Sequence, residues 1–342
     1  MLSYKNIFLA TCGAALMASC NKNVVELTDI NSFNVKADST RAAEPTNDTA
    51  YYTLGSKATF NFSGNPAFIT FFSGEVGRRY IYRNRKTATG ISKLVFTSAL
   101  NAGVQPNSLR VMLSSDFKGV VSKMNVVGGI PTNTLVYDSV ATLANIAAAT
   151  WADITPTDLA NSATAKTSTI DLSTVAAAGK KVFIAFKYLA QSGSIQNKWT
   201  ITNLGVTNSL PDNTTYTIGS LAAANTAIVN YGASLFSPGW VAYTATNNYN
   251  WVVSAGTSLV ITGASTAAAA TSNVEAWTFM GSLDLNSVAP DFGVPLKDIS
   301  AAPLPYQYAY PSTGKYDAVF AATNFTAYTS DTITRKIPVS IR

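Results

Sequence analysis

Apolar and polar residues alternate along most of the chain, in short segments separated by turn-forming residues. Phe60 and Phe62 lie on one side of Ala58–Phe62, and Ser63–Pro66 then turns the chain so that Phe68–Phe72 runs back. A period of two residues is typical of β-strands, because successive side chains point to opposite faces of a sheet. The pattern therefore predicts a strand at both segments.

The same alternation recurs to the end of the chain. Beyond the first twenty residues, no segment keeps apolar side chains at positions i, i+3, i+4 and i+7 for three turns, and Ala267–Ala270 is expected to be a loop because Ser and Thr flank it. We therefore predict an all-β protein. The last strand contains Pro338, whose missing N–H places it at a sheet edge. The further predicted strands are Ser32–Lys36, Leu109–Leu113, Val182–Tyr188, Trp199–Ile201, Leu259–Ile261, Tyr316–Phe320 and Ile333–Ile341.

The first twenty residues depart from this pattern. Lys5 is the only charged residue before Cys20, the run from Ile7 to Met17 is mostly apolar, and Ala18 and Ser19 are small residues just before a cysteine. These features indicate a signal peptide over residues 1–19 that ends in a lipobox-like site, with a lipid attached to the Cys20 thiol. The alternative is an ordinary signal peptide with a chance cysteine. In the first interpretation, residues 20–31 form a polar tether and the membrane is a partner through the lipid.

Composition narrows the classes of function. The chain has 342 residues, of which 47% are hydrophobic and 12% are charged, with a net charge of +6. A surplus of six positive charges over 342 residues argues against a nucleic-acid-binding protein, which would concentrate cations on one face. Histidine is absent and both cysteines precede residue 21, which excludes Ser-His-Asp and Cys-His catalysis and an internal disulfide after residue 20. No cofactor is expected, and no apolar run after Cys20 is long enough for a membrane-spanning helix.

Segments near the two ends resemble parts of one domain. Tyr306–Phe320, in which a Pro-to-Gly turn precedes an alternating strand, is similar to the closing strands of the polycystic-kidney-disease (PKD) type of immunoglobulin-like domain. Asn324 falls where that family often has asparagine, and Ile69–Glu75 lies where it has a strand and a Gly-Asp-Gly turn. The resemblance implies an immunoglobulin-like domain formed from residues 32–86 and 286–342.

Four segments between these ends resemble galactose-binding-like jelly rolls of secreted and surface proteins of Bacteroidota. They are Val111–Gly119, Trp151–Thr155, Lys181–Tyr188 and Lys198–Leu204. Together with Ser73–Arg83 they make the chain similar to an uncharacterised lipoprotein family of that phylum. The resemblance implies a jelly-roll β-sandwich over residues 87–285, inserted into a PKD-type immunoglobulin-like β-sandwich.

Aromatic residues in a polar setting are the first candidate binding site. Flat rings stack on sugar faces, and asparagine amides form paired hydrogen bonds with hydroxyl groups. The alternative is that Trp240 and Trp251 fill the jelly-roll core, with the asparagines turning the chain between them. The candidate glycan-binding residues are Trp240, Tyr243, Asn248, Tyr249 and Trp251.

A basic segment is the second candidate. Gly77–Lys86 interleaves arginines with Tyr80 and Tyr82, a pattern that suits an anionic sugar or a lipid headgroup. The alternative is a solvated edge strand, with Arg79 and Ile81 on one side and Tyr80 on the other.

Carboxylates are the remaining candidates for catalysis and for metal binding. A glycosidase would need Glu75 or Glu275 paired with an aspartate such as Asp153 or Asp291. The sequence has no D-x-D-x-D-G loop for calcium. Oxygen ligands for a structural Ca²⁺ are nevertheless available from Asp116, Asp153, Asp171 and Asp284.

Three functions follow from these features. The first is a non-catalytic outer-membrane lipoprotein that binds polysaccharides or oligosaccharides beside an outer-membrane transporter complex. The second is a structural or adhesive module that docks protein through sheet edges near Ile333–Ile341. The third is a histidine-free glycoside hydrolase. The residues after Cys20 lack an acidic cluster that would favour export, so either face of the outer membrane is possible.

Overall fold

The computed structural model describes residues 28–39, 49–221, 240–246, 249–254, 256–300, 302–325 and 328–342. Strands dominate these ranges, as the alternation predicts. The chain divides into two compact units, one formed by the residues up to Asn84 together with Pro290–Arg342, and the other by Arg85–Ala289. We call them the split unit and the inserted unit. The boundaries expected from the sequence are 86/87 and 285/286. The predicted signal peptide, Cys20 and most of the predicted tether lie outside the described residues.

The split unit contains two sheets that enclose one core. The smaller sheet has the order β1-β3-β19, and the larger has the order β18-β4-β20-β21-β2. All neighbours are antiparallel except β2 and β21, which are parallel. The predicted strands at Ala58–Phe62 and Phe68–Phe72 therefore belong to different sheets. The strands are β1 (Asn34–Asp38), β2 (Ala50–Tyr52), β3 (Lys57–Ser63), β4 (Phe68–Phe72), β18 (Val294–Lys297), β19 (Tyr306–Ala309), β20 (Gly314–Phe325) and β21 (Ser330–Ile341).

Aromatic rings fill the core between these sheets. Phe60 of β3 lies 5.8 Å from Phe71 of β4 and 4.9 Å from Phe320 of β20, measured between ring centroids. All three side chains are buried. Burying such rings is worth about 1.5–3 kcal/mol each, so this cluster is a main source of the unit's stability.

One local prediction for the split unit holds only in part, and another is wrong. The strand that contains Pro338 is followed by β2 in the sheet, but β2 pairs only with Val339–Ile341. Proline is tolerated at residue 338 because the pairing with β2 begins only after it. The segment Gly77–Lys86 is not an edge strand, because Tyr80–Tyr82 forms a 3-10 helix. A second 3-10 helix spans Ile30–Ser32.

The inserted unit is also built from two main sheets around a core. One has the order β10-β5-β12-β16-β15, with β13 also pairing with β12, and the other has the order β14-β17-β11-β6-β9. Its strands are β5 (Ile91–Ala102), β6 (Leu109–Ser114), β9 (Ala152–Asp153), β10 (Lys166–Asp171), β11 (Val182–Ala190), β12 (Lys198–Ser209), β13 (Thr215–Ser220), β14 (Val241–Thr246), β15 (Val252–Ser254), β16 (Ser258–Thr262) and β17 (Val274–Leu283).

Alternate residues of these strands form the core of the inserted unit. Along β11, Ile184, Phe186 and Tyr188 are fully buried and face Phe96 of β5 and Ile201 of β12. The residues between them face outward, as the period of two requires. Both units are therefore β-sandwiches in their layering.

The described part of the inserted unit also contains two short helices and a hairpin. Helix α1 (Ser139–Ala148) and helix α2 (Ser173–Ala177) are not predicted by the sequence pattern. Ile146 of α1 packs with Trp151 against the outer face of the five-stranded sheet, over Phe279. β7 (Ser122–Val127) and β8 (Ile130–Tyr137) form a separate two-stranded sheet.

Candidate functional site: a groove on a sheet of the split unit

The aromatic candidates Trp240, Tyr243 and Trp251 are buried. Their exposed fractions are 0%, 6% and 3%. Trp240 packs on Phe186 at 5.8 Å, and the indole N–H of Trp251 donates to the carbonyl oxygen of Ala276 at 3.3 Å. Stacking on a sugar needs an open ring face, which these three side chains do not have. This placement matches the alternative interpretation, in which they are core residues.

The other two residues of this set are Tyr249 and Asn248. Tyr249 is half-buried and packs against the same core. Asn248 lies outside the described residues. The hydroxyl of Tyr243 donates to the carbonyl oxygen of Ser139 at 2.7 Å, so this side chain anchors the first turn of α1. The segment is thus structural wherever it is described.

A groove with a volume of about 590 Å³ crosses the outer face of the larger sheet of the split unit. Its floor consists of the residues of β20 and β21 that alternate with core residues. For example, Ala318 and Phe320 face the core, whereas Asp317 and Val319 line the groove. The floor side chains are Lys315, Asp317, Val319, Thr334, Lys336, Pro338 and Ser340.

Two half-buried tyrosines stand at the groove. Tyr51 comes from β2, and Arg342 lies over its ring at 4.6 Å. Tyr80 comes from the 3-10 helix and packs edge-on against Phe72 at 5.2 Å. A flat ring with one supported side and one accessible side is the arrangement that sugar stacking requires. The groove is thus lined by two half-buried rings, and an arginine lies over each of them, Arg342 over Tyr51 and Arg83 over Tyr80.

The wall that carries Tyr80 is fixed by an ion pair. Both the backbone N–H and the Nε of Arg79 donate to Oδ2 of Asp291, at 3.0 and 3.1 Å. The Asp291 side chain is fully buried. Breaking a buried pair leaves an uncompensated charge, which is costly. Arg79 and Asp291 therefore hold the 3-10 helix in place.

Two other cations of the basic segment lie on aromatic rings. Arg78 lies over Phe292 at 4.0 Å, and Arg83 lies over Tyr80 at 3.9 Å. Such contacts are worth about 0.5–1 kcal/mol at exposed sites. The alternation of arginine and tyrosine in the sequence thus has a structural use. Of this segment, the residues that line the groove are Arg79, Tyr80 and Ile81.

The groove carries more positive than negative charge. Four cationic side chains and one carboxylate line it, namely Arg79, Lys315, Lys336, Arg342 and Asp317. Nζ of Lys336 lies 2.8 Å from Oδ2 of Asp317, and both side chains are more than half exposed. An exposed pair of this kind is weak and can exchange partners with a ligand.

The inserted unit has two clefts, of about 710 and 620 Å³, that are both lined by residues of Gln105–Arg110. The buried side chain of Asn197 fixes the conformation of this segment. Its amide nitrogen donates to the carbonyl oxygen of Gln105 at 2.7 Å, and its amide oxygen accepts from the backbone N–H of Gln105 at 3.0 Å. The indole N–H of Trp199 donates to Ser108 at 2.8 Å. Trp199 lines one of the clefts, but its side chain is buried. It therefore offers a ligand no exposed ring face.

The candidate catalytic carboxylates all have protein partners. Glu75 accepts hydrogen bonds from the hydroxyls of Ser73 and Tyr308. The pKa of the Tyr308 hydroxyl is raised, mainly by burial and also by its hydrogen bond to Glu75. Glu275 accepts from the indole N–H of Trp277 at 2.7 Å and lies 3.3 Å from Nζ of Lys187. Asp153 lies 3.2 Å from Arg110. These bonds give each carboxylate a structural role.

The aspartates considered for calcium are each bound to nearby residues. Hydrogen bonds from the Ser114 hydroxyl and the Thr150 amide lower the pKa of Asp116, and bonds from Ser173 lower that of Asp171. Asp284 accepts from the amide of Asn286. The described ranges contain no group of three or more possible metal-ligating side chains of these types. Among the same residues, no helix has the length and apolar character needed to cross a membrane.

These features define an all-β protein with two sandwich-like units and a sheet-face groove. A family model described as a domain of unknown function (DUF5017) matches residues 19–226, more than half of the chain. The chain therefore belongs to this family. No curated protein and no solved structure matches it at a significant level.

Proposed function

We propose that this protein is a non-catalytic glycan-binding lipoprotein of a Gram-negative outer membrane, accessory to polysaccharide uptake. In this proposal the lipid on Cys20 anchors a PKD-type immunoglobulin-like unit that carries an inserted galactose-binding-like jelly roll. The observation that supports glycan binding is the groove with Tyr51 and Tyr80 at its sides and hydroxyl and charged side chains on its floor. Polysaccharides need such a combination of ring faces and hydrogen-bonding groups.

Isothermal titration against a panel of polysaccharides tests this proposal. At least one polymer is expected to bind, and Tyr51→Ala or Tyr80→Ala is expected to weaken its affinity at least about tenfold, the loss that corresponds to about 1.4 kcal/mol. Tyr328→Ala is the matched control, because Tyr328 is 96% exposed and does not line the groove. Absence of binding across the panel, or equal affinity of all four proteins, would contradict the proposal.

Protein docking is the second candidate function, and the hairpin β7–β8 is the observation that favours it. Met124, Val126, Val127 and Ile130 are 45–71% exposed there. Exposed apolar clusters of this kind often mark protein interfaces. The expected partner is the outer-membrane transporter. Val126→Lys with Ile130→Lys should abolish co-purification of that transporter and leave polysaccharide affinity unchanged. Equal recovery of the transporter would exclude the hairpin as the interface.

A further inference from the structure

The cations of the groove lie at two separate positions along its floor. Lys315 is opposite Ser340 in the β20–β21 register, and Arg342 lies two residues beyond Ser340 on the same face. Lys336 is four residues before Ser340 on β21, a distance of about 13 Å along a strand. Only a ligand longer than a single small ion can contact both positions at once.

Negative charge at the groove is scarce. Asp317 is the carboxylate in the lining, and it is bonded to Lys336. Buried Asp291 forms an ion pair with Arg79 and so neutralises its positive charge. The main role of Arg79 is therefore to hold the 3-10 helix in place. Lys315 and Arg342 are exposed and sit at the end of the groove beside Tyr51. Like-signed groups at a concave surface focus the field on an incoming anion.

We infer that the groove selects acidic oligosaccharides, whose carboxylate or sulfate groups bind Lys315 and Arg342 at one position and Lys336 at the other. This inference rests on the proposed function. Neighbouring sugar rings stack on Tyr51 or Tyr80, and hydroxyl groups bond Ser340 and Thr334. An arginine binds a carboxylate or sulfate with two parallel hydrogen bonds, which adds specificity to charge.

The matched ligands are polymers that differ only in charge. Polygalacturonate is compared with its methyl ester, and chondroitin sulfate with its desulfated, carboxyl-reduced form, by isothermal titration at 50 and 300 mM salt. We expect the charged member of at least one pair to bind at least tenfold more tightly, and to lose at least threefold in affinity at the higher salt because exposed charges are screened.

The matched variants separate charge from ring stacking. Lys315→Gln with Arg342→Gln should reduce affinity for the charged polymer at least tenfold and reduce affinity for its neutral partner by a smaller factor. Lys57→Gln is the control, because Lys57 is an exposed lysine of the same unit outside the groove lining. Circular dichroism checks that each variant is folded.

The outcomes distinguish this inference from the proposal beneath it. Equal binding of charged and neutral polymers through Tyr51 and Tyr80 would overturn the selectivity and leave glycan binding intact. No binding to any polymer would overturn both. Vesicles of anionic lipid that bind through Lys315 and Arg342 with higher affinity than every polysaccharide would overturn the inference in favour of a membrane headgroup site.

Discussion

Gly74 is the residue on which the shape of the groove depends most closely. Its φ of +88° lies in the left-handed region, and a Cβ atom built there would lie 2.6 Å from the backbone nitrogen of Asp317. Glycine tolerates this conformation without steric cost, and no other residue leaves room for the β20 backbone. Gly74, at the start of the wall, can therefore lie this close to Asp317 of the floor only because residue 74 has no side chain.

Replacement of Gly74 should damage both stability and binding. Gly74→Ala is expected to lower the free energy of unfolding by at least about 2 kcal/mol, since it adds a backbone clash to the cost of the left-handed conformation. Gly77→Ala is the control, because Gly77 has φ +78° with no atom within 4 Å of its Cβ position, and should lose only about 1 kcal/mol. Denaturant unfolding measures both. Equal losses would show that the contact with Asp317 is relaxed in solution.

Buried tyrosines predict how the split unit responds to alkaline pH. Burial raises the pKa of Tyr52 to about 12 and also raises the pKa values of Tyr306 and Tyr310. The folded state therefore retains phenolic protons that the unfolded chain loses near pH 10. Stability from these groups is fully present below that pH and falls as pH rises toward 12.

Tyr52→Phe should reduce this loss of stability at alkaline pH. The variant cannot ionise at residue 52, and it loses only a long hydrogen bond of 3.5 Å to the carbonyl oxygen of Thr59. The denaturation midpoint should therefore decrease less between pH 9 and 11.5 than it does in the wild-type protein. An identical decrease in both proteins would mean that Tyr52 is accessible to water in the folded state.

Only part of the groove could be predicted at the level of residues. Arg79 and Tyr80 belong to the basic segment that the sequence singles out, but Tyr51, Lys315 and Lys336 have no local signal. They join the groove because strands distant in the sequence pair side by side, including the parallel pair of β2 and β21. Conversely, the cluster that includes Trp240 looks like a binding site in sequence, since composition does not reveal which face of a strand is buried.

At the scale of elements, period-two alternation predicted strands well. The predicted segment Phe68–Phe72 coincides with β4, and the predicted Leu109–Leu113 lies within β6. Helix α1 was missed because its exposed face carries Val140 and Leu143 while Thr142 is buried, so it lacks an apolar stripe. The sequence does contain a signal for the start of this helix, namely Asp138. Its side chain accepts a hydrogen bond from the N–H of Ala141 and so caps the helix N-terminus.

The segment Gln105–Arg110 depends on a buried amide for its conformation. The side chain of Asn197 makes three hydrogen bonds, with the backbone of Gln105 and the hydroxyl of Ser108. Asn197→Ala should cost about 2–3 kcal/mol, because it leaves buried donors and acceptors unsatisfied. Asn161→Ala, at an exposed position of the same cleft, should change stability by less than about 0.5 kcal/mol.

Hydrogen exchange shows whether this loss is local. In Asn197→Ala, the amides of Gln105 and Ser108 should exchange faster, while polysaccharide binding at the groove of the split unit stays unchanged. Unaltered exchange at these amides would mean that the loop is held by other contacts. Loss of polysaccharide binding would instead place the glycan site in the inserted unit.

At the scale of the whole molecule, the split unit is assembled from both ends of the chain. Four of its strands precede Asn84 and the other four follow Pro290. Neither half contains enough strands to cover a core, so the pairing of β20 with β4 must form across the intervening residues. From sequence, the resemblance of the two ends leads us to expect one domain built from both, whereas the alternation alone does not predict which strands pair.

Anchoring at Cys20 concerns the whole protein and has its own test. Cys20→Ser should abolish incorporation of a labelled fatty acid and move the protein from the membrane to the soluble fraction. Cys12→Ser is the control, because Cys12 lies within the predicted signal peptide. Unchanged labelling in Cys20→Ser would remove the anchor from this account.

The most direct test of glycan binding is a crystal structure of the protein with an oligosaccharide of the tightest-binding polymer. The account predicts sugar rings against Tyr51 or Tyr80, with acidic groups within hydrogen-bond distance of Lys315 or Arg342. An oligosaccharide bound beside Gln105–Arg110, with the groove empty, would contradict it.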